Sequence, residues 1–446
     1  MGGGGNGKEK WKVGPTKKRG SPQRQKQAAK KTPPSSRKEY TTTAVNNDHK
    51  MEDENEHIDL SASAKRISPD LQQLLLNVFK YALFSSLEQV NRDVDNTEEG
   101  EGEEEEEKDI STQIQQLKTH LFNRDFESAF TDASPSLLRA YALRWSASRS
   151  LAYCGLFKGV IDCALESGHG LDDGKEDVGV LCIGGGAGAE IVALAGAWRA
   201  LQDEQNIIKD TDESLPLEGV ENLSLDEATS PKQKRRRKMG ITAIDIAEWS
   251  DVVSRLTAGI HSPDVFGTKT FVAPLISGQE DEGIDISFQK MDILSLSEEG
   301  LKSLLHRQRV ISLMFTLNEL FSTSISRTTQ LLLRMTDIAS PGTILMVVDS
   351  PGSYSTLSFA KNDSTETQQQ QRQYPMKFLL DHTLLSVAEG SWEKLVSQDS
   401  RWFRKDANHK LHYNVELEGG QGYIRLEDMR FQIHIYRRLS SSNQKE

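Results

Sequence analysis

Apolar residues along this chain recur first at helical spacing and then in short unbroken blocks. Leu71, Leu74, Leu75, Val78, Phe79, Ala82 and Leu83 fall on one face of a helix, and Ser68-Pro69-Asp70 supplies its start. Ile114, Leu117 and Leu121 mark a second helical region from Ser111, and Ser134-Pro135 opens a third with Leu137, Leu138, Tyr141 and Leu143. That pattern continues through Leu151, Tyr153, Leu156 and Phe157. Five β-type blocks follow: Val178 to Ile183, Gly240 to Ile246, Ile284 to Phe288, Val310 to Thr316 and Thr343 to Val348. A helix-type run from Thr328 to Met335 separates the last two, and Ser340-Pro-Gly342 breaks it. Strands alternating with helices predict an α/β fold with a parallel sheet covered on both faces.

Beyond residue 350 the pattern changes. Asn362 to Gln373 is polar and Gln-rich and reads as a solvated loop, while Met376 to Val387 and Ser391 to Phe403 read as helices. His412 to Leu417 and Met429 to Tyr436 alternate around Gly419-Gly420, which predicts an antiparallel pair closing one sheet edge.

Composition narrows the count of domains. Of 446 residues 36% are hydrophobic and 27% charged, with a net charge of −12, so long tracts cannot build a core. Residues 1–66 read as a disordered basic tail, 67–175 as a helical region carrying an acidic linker at 91–110, and 176–440 as the main domain with a disordered insertion at 202–239. The Lys/Arg series from Lys8 to Lys38 is either a nucleic-acid arm or a solubilising tail. Pro231 to Lys238 suits a nuclear import signal or an RNA-contacting loop. Cys154, Cys163 and Cys182 are too few and scattered for a disulfide framework or a zinc site. No metal site and no membrane segment is predicted.

The chemistry centres on Val178 to Glu190, where an apolar strand empties into Gly184-Gly-Gly-Ala-Gly188 and a helical pattern follows at once. Strand, glycine turn and helix open a nucleotide-binding βαβ unit, and Gly184, Gly186 and Gly188 let a ligand touch bare main chain. Asp245 ends the next strand, where a carboxylate accepts ribose hydroxyls, and Ile246 is placed to lie on an adenine. Asp292, after the third strand, is a candidate for the adenine amino group. Helix capping is the competing role for both acids. The glycine pattern also suits a dinucleotide, but no second catalytic domain follows and the final pair is antiparallel. Both features favour S-adenosylmethionine. Arg144-Trp-Ser-Ala-Ser-Arg149 either contacts RNA through Arg144, Trp145 and Arg149 or fastens the helical region to the main domain.

The glycine turn, the Ala-Ile-Asp-Ile strand end, Phe315-Thr-Leu-Asn-Glu-Leu-Phe321 and the final strands resemble a class I S-adenosylmethionine-dependent methyltransferase. Arg144 to Arg149 together with Leu181 to Glu190 resembles, more narrowly, the fungal 25S rRNA uridine-N3 methyltransferase family. The resemblance implies a Rossmann-like seven-stranded methyltransferase sheet with an N-terminal helical extension. It also implies methyl transfer to N3 of a uridine in large-subunit rRNA. The expected partner is rRNA or a pre-ribosomal particle, and the expected protein is a monomer in the nucleus, at the nucleolus, with the cytoplasm a further location. One departure stands out: the acid often found two residues before the first glycine is Cys182 here.

N3 carries a proton and is a poor nucleophile until that proton leaves. Glu319, beyond the fourth strand, is the candidate base, with Asn318 hydrogen-bonding a carbonyl and Asp349 a second candidate base. Capping again competes for Asn318 and Asp349. Two other readings stand beside this one: a catalytically silent Rossmann-like RNA-binding factor for ribosome assembly, and an aminopropyltransferase-like enzyme.

Overall fold

The centre of the sheet is built on β-branched and aliphatic residues that are buried on both faces, the signature of parallel strands between helical layers. The computed structural model describes residues 58–60, 67–85, 110–123, 125–166, 177–213, 237–277, 283–352, 354–359, 370–404, 411–413, 415–417 and 422–440. The basic series Lys8 to Lys38, the acidic tract 91–109, Gly419-Gly420 and residues 214–236, with most of the Pro231 to Lys238 run, lie outside them. All the described residues belong to one compact unit, Asp53–Glu446.

Seven strands form the central sheet: β1 (Val178–Ile183), β2 (Met239–Asp245), β3 (Ile284–Lys290), β4 (Gln308–Met314), β5 (Ile344–Asp349), β8 (Trp392–Phe403) and β11 (Met429–Arg438). Their order is β3-β2-β1-β4-β5-β11-β8. β1 to β5 pair in parallel, and β11 runs antiparallel to both β5 and β8. The direction of strand order reverses between β1 and β4, the point where open α/β sheets hold ligands at their carboxyl ends. A small hairpin, β6 (Tyr354–Phe359) with β7 (Gln370–Pro375), and a pair, β9 (Val415–Leu417) with β10 (Gly422–Ile424), stand apart from it.

The expected α/β architecture is therefore present, with two corrections at the C-terminal end. Ser391 to Phe403 is the edge strand β8, not a helix. Trp392, Leu395 and Val396 imitate helical spacing because β8 carries irregularities in its register with β11, which break the strict alternation of a strand. The partner of β11 is therefore β8. The His412 to Leu417 run instead contributes β9 to the small separate sheet. The Gln-rich segment also reaches further into structure than its composition predicts, since β7 begins at Gln370.

The helices preceding the sheet share its core. Helix α1 (Pro69–Lys80) starts where Ser68 Oγ accepts the Leu71 amide at 3.2 Å, with Pro69 in the first turn. It buries Leu71, Leu74, Leu75, Leu76, Val78 and Phe79, each such side chain contributing roughly 1.5–3 kcal/mol. Helix α2 spans Ile110–Asn123, α3 spans Pro135–Tyr141, and α4 spans Ala147–Glu166. A π-helical turn, Ala142–Ser146, joins α3 to α4. These helices, α5 (Ala189–Glu213) and α6 (Ser250–His261) form one continuous core with a face of the sheet. The opposite face is covered by a second cluster. It includes Leu301, Leu304 and Leu305 of α7 (Glu298–Leu305), packed with residues of two later helices, α8 (Leu317–Thr323) and α9 (Ile325–Ile338). α5 carries on to Glu213, well into the tract read as an insertion. Lys158, fully buried on α4, binds Glu204 on that extension at 2.8 Å and Asp162 at 3.1 Å, so the helix is held to its neighbour there.

Candidate active site

The glycine turn after β1 sits at the switch point, and its three alternate glycines have separate reasons to lack a side chain. Gly184 and Gly188 adopt φ of 79° and 81°, a region that strains other residues. Gly186 is required by close approach: a Cβ there would stand 2.1 Å from Trp249 Cδ1 and 2.9 Å from Asp245 Cβ. The turn is held from two sides. Asp245 accepts the Gly186 amide at 3.2 Å and the Ala247 amide at 3.1 Å. Ser146 donates to the Ala187 carbonyl at 2.7 Å. Burial raises the Asp245 pKa, against the hydrogen bonds it accepts from Ala247 and Gly186. Beside it Ile246 is 53% exposed, an apolar side chain left open at the sheet's carboxyl edge.

Asp292 is occupied in the capping role. It accepts the Leu294 amide at 2.9 Å and the Ser295 hydroxyl, and Arg327 lies 3.7 Å away. Its strand end adjoins that of Asp245, whose carbonyl accepts the Met291 amide at 2.7 Å.

Beyond β4 the chain turns at Phe315, which takes φ of 60° although it is not glycine. Such strain persists only where the surroundings over-determine it, and it clusters at functional sites. The turn leads into α8, which carries Asn318 and Glu319. Asp349, buried at the end of β5, accepts the Asn318 amide at 3.0 Å and the Ser350 amide at 2.7 Å. The Asn318 Oδ1 is buried with no hydrogen-bond partner, an arrangement that costs about 1–3 kcal/mol unless a ligand donates to it. Glu319, the next residue, is exposed in the first turn of α8. The protein around its carboxyl nevertheless pushes its pKa up to about 7, and the negative charges of Asp349 and Asp245 add to the rise.

Arg149 opposes that rise. Its Nη1 donates to Tyr141 Oη at 2.8 Å, and its guanidinium lies 5.3 Å from the Phe315 ring centre and 5.7 Å from that of Tyr141. Trp145 and Trp249 pack on Tyr141, with ring centres 4.9 and 5.8 Å away. Arg144 points elsewhere. It pairs with Glu427 and reaches the Arg425 carbonyl, while Ser148 accepts the Glu427 amide at 3.1 Å. The motif Arg144 to Arg149 thus ties three parts together: Arg144 and Ser148 hold the segment before β11, Ser146 holds the glycine turn, and Arg149 lies against Tyr141 and the Phe315 turn.

Glu190 was legible in sequence only as part of a helix. It is buried, with Oε1 accepting from Ser312 of β4 at 2.6 Å and Oε2 near Cys182 under the turn. A carboxyl is therefore present beside the position where Cys182 replaces the usual strand-end acid, but it arrives from α5. The signal was a lone acid in an otherwise apolar helical run. Burial pushes its pKa up to about 8, and the Asp245 charge adds to this against hydrogen bonds from Ser312 and Cys182. Because the folded value lies above that of the unfolded chain, the contribution to stability is complete below about pH 4.3 and is lost as pH rises through about 8. Glu190→Gln is expected to raise the Tm at pH 8.5 and to leave it unchanged at pH 4. Parallel Tm curves for the two proteins over that range would refute the assignment.

A family model described as "Putative SAM-dependent methyltransferase" matches residues 98–437. The chain belongs to the S-adenosylmethionine-dependent methyltransferases. A curated member, the 25S rRNA (uridine(2843)-N(3))-methyltransferase of Saccharomyces cerevisiae, is 31% identical over 322 residues, 71% of this chain and 77% of the relative. Among solved structures, a methyltransferase from Clostridium acetobutylicum is 8% identical, with 73% of this chain and all of that one covered at a TM-score of 0.29. Another, from Methanosarcina mazei, is 13% identical, with 59% and 94% covered at 0.25. Those superpositions are too loose to bear on the site.

The residues of this methyltransferase fit its cofactor. Open apolar Ile246 beside Asp245 suits an adenosine, and the glycine turn leaves bare main chain next to it. Among the described residues no cluster of His, Cys, Asp or Glu could hold a metal ion, and no helix is long and apolar enough to cross a membrane.

Proposed function

We propose that this methyltransferase modifies N3 of a uridine in large-subunit rRNA. The reading rests on the likeness to the yeast uridine-N3 enzyme and on one arrangement above all: Glu319 stands at the start of the helix after β4, where the protein around it and the charges of Asp349 and Asp245 push its pKa up to about 7 and the Arg149 charge opposes the rise. S-adenosylmethionine supplies an activated methyl, so the protein's tasks are alignment and removal of a proton. Gly184, Gly186, Gly188 and Asp245 hold the adenosine and methionine ends, with Ile246 under the adenine and Asp292, through a lone pair that its capping bonds leave over, at the amino group. Glu319 takes the N3 proton. A carboxyl poised near neutrality is suited to this, because about half of it is ionised at cellular pH and the ionised form is basic enough to accept. Asn318 hydrogen-bonds the base, while Asp349 fixes the Asn318 backbone. Loss of the N3 proton spreads negative charge over both uracil carbonyl oxygens, and Arg149 sits where it offsets that charge. Trp145 and Tyr141 give the extruded base an aromatic wall. The basic runs outside the described residues serve nuclear import and RNA attraction.

The test is mass spectrometry of rRNA nucleosides from cells lacking the protein. One 3-methyluridine should vanish from large-subunit rRNA and return with the wild-type gene. An unaltered nucleoside profile would shift the assignment to a silent assembly factor.

A further inference from the structure

We propose that Trp402, Arg404 and Arg430 form an RNA-stacking platform separate from the catalytic cleft. This deepens the rRNA reading above and rests on it for the class of partner. Trp402 is 51% exposed on the edge strand β8. The guanidinium of Arg404 lies 5.2 Å from its ring centre and that of Arg430 lies 5.7 Å away. Arg430 is paired directly with Trp402 across the β8–β11 ladder, and its Nε donates to Ser400 Oγ at 2.9 Å. Two of the neighbouring acids are engaged with other cations, Asp399 with Lys377 and Glu427 with Arg144.

Position supplies the second argument. β11 is antiparallel to both β5 and β8, so β8 ends on the same side as β5. Gln432 lies opposite Asp349, the last residue of β5, whereas Arg430 lies opposite Trp402. The platform thus projects two residues, roughly 7 Å, past the carboxyl edge that carries the cleft. Gln432 braces the projection by donating to the Ser350 carbonyl at 2.8 Å. A strand of RNA delivering a base to Glu319 passes this edge. A wide π-surface flanked by two guanidinium groups holds unpaired bases by stacking while the charges hold phosphates. Half the indole stays in water, open to a ligand.

The test uses the full chain and a fluorescent single-stranded RNA of about 20 nucleotides and mixed sequence, long enough to span such a site, with affinity read at several salt concentrations. Trp402→Ala is expected to weaken binding about ten-fold and Trp402→Phe to restore most of it. Arg404→Gln with Arg430→Gln should flatten the dependence of log affinity on log salt by about 0.7 for each phosphate no longer neutralised. Cofactor affinity and Tm should match wild type in all three. Unchanged RNA affinity in Trp402→Ala would overturn the platform. So would loss of ribosomal-protein association with RNA affinity intact, which would make it a protein-docking surface. Methyl transfer by the wild-type protein is scored in parallel on rRNA from cells lacking it. Failure to form 3-methyluridine there would refute the base assignment without touching the RNA-affinity result.

Discussion

Glu319→Gln is expected to slow methyl transfer on the order of 10³-fold while leaving cofactor affinity unchanged. The substitution keeps the side chain's size and removes only its ability to take a proton. In wild type, a carboxyl works as a base only when ionised. The single-turnover rate should therefore fall as pH drops through about 7, the value to which the surrounding protein and the charges of Asp349 and Asp245 bring Glu319. Arg149→Met removes the charge that opposes this rise, so it should move the inflection upward. The assay is transfer of labelled methyl to rRNA from cells lacking the protein. Wild-type turnover by the glutamine variant would remove Glu319 from the mechanism and leave Asp349 as the base to examine.

The second large effect belongs to cofactor binding. Asp245→Ala should weaken S-adenosylhomocysteine roughly ten- to a hundred-fold, the range for losing hydrogen bonds to a charged group. Two contributions are mixed here, because Asp245 also anchors the Gly186 amide. A 2′-deoxy analogue separates them. Wild type should lose affinity when the hydroxyl is removed, whereas Asp245→Ala should bind both ligands alike, the coupling a double-mutant cycle measures. Equal losses for the analogue in the two proteins, by calorimetry, would limit Asp245 to bracing the turn.

Much of this arrangement was legible in the sequence. β1, β4 and β5 are contiguous apolar blocks, buried from both sides, and such blocks are hard to mistake. Ser68 and Ser134 each stand before a proline, and both cap helices. What escaped was non-local or irregular. β8 breaks its own alternation with changes of register, so its apolar residues mimic a helix. β7 is too polar to announce itself and exists by pairing with β6. In the site, the glycine turn and Asp245 declare themselves through spacing. The reach of Glu190 to Ser312 and the indole of Trp249 over Gly186 depend on how elements far apart in the chain meet. Arg144 and Arg149 looked equivalent in sequence. Only the fold separates an anchor on Glu427 from a residue that lies against Tyr141 and Phe315.

The wide turn at Ala142–Ser146 adds a consequence for how this chain tolerates change. An α-helix advances about 100° per residue, so the extra residue of a π-turn shifts the phase of everything after it. Arg144 lies inside the turn and Arg149 after it, and they point to different partners. Removing one residue from 142–146 would return a regular helix that cannot satisfy both Glu427 and Tyr141. Substitutions in this stretch should therefore be survivable, whereas a change in its length would cost either the clasp on the C-terminal segment or the seat of Arg149 on Tyr141 and Phe315.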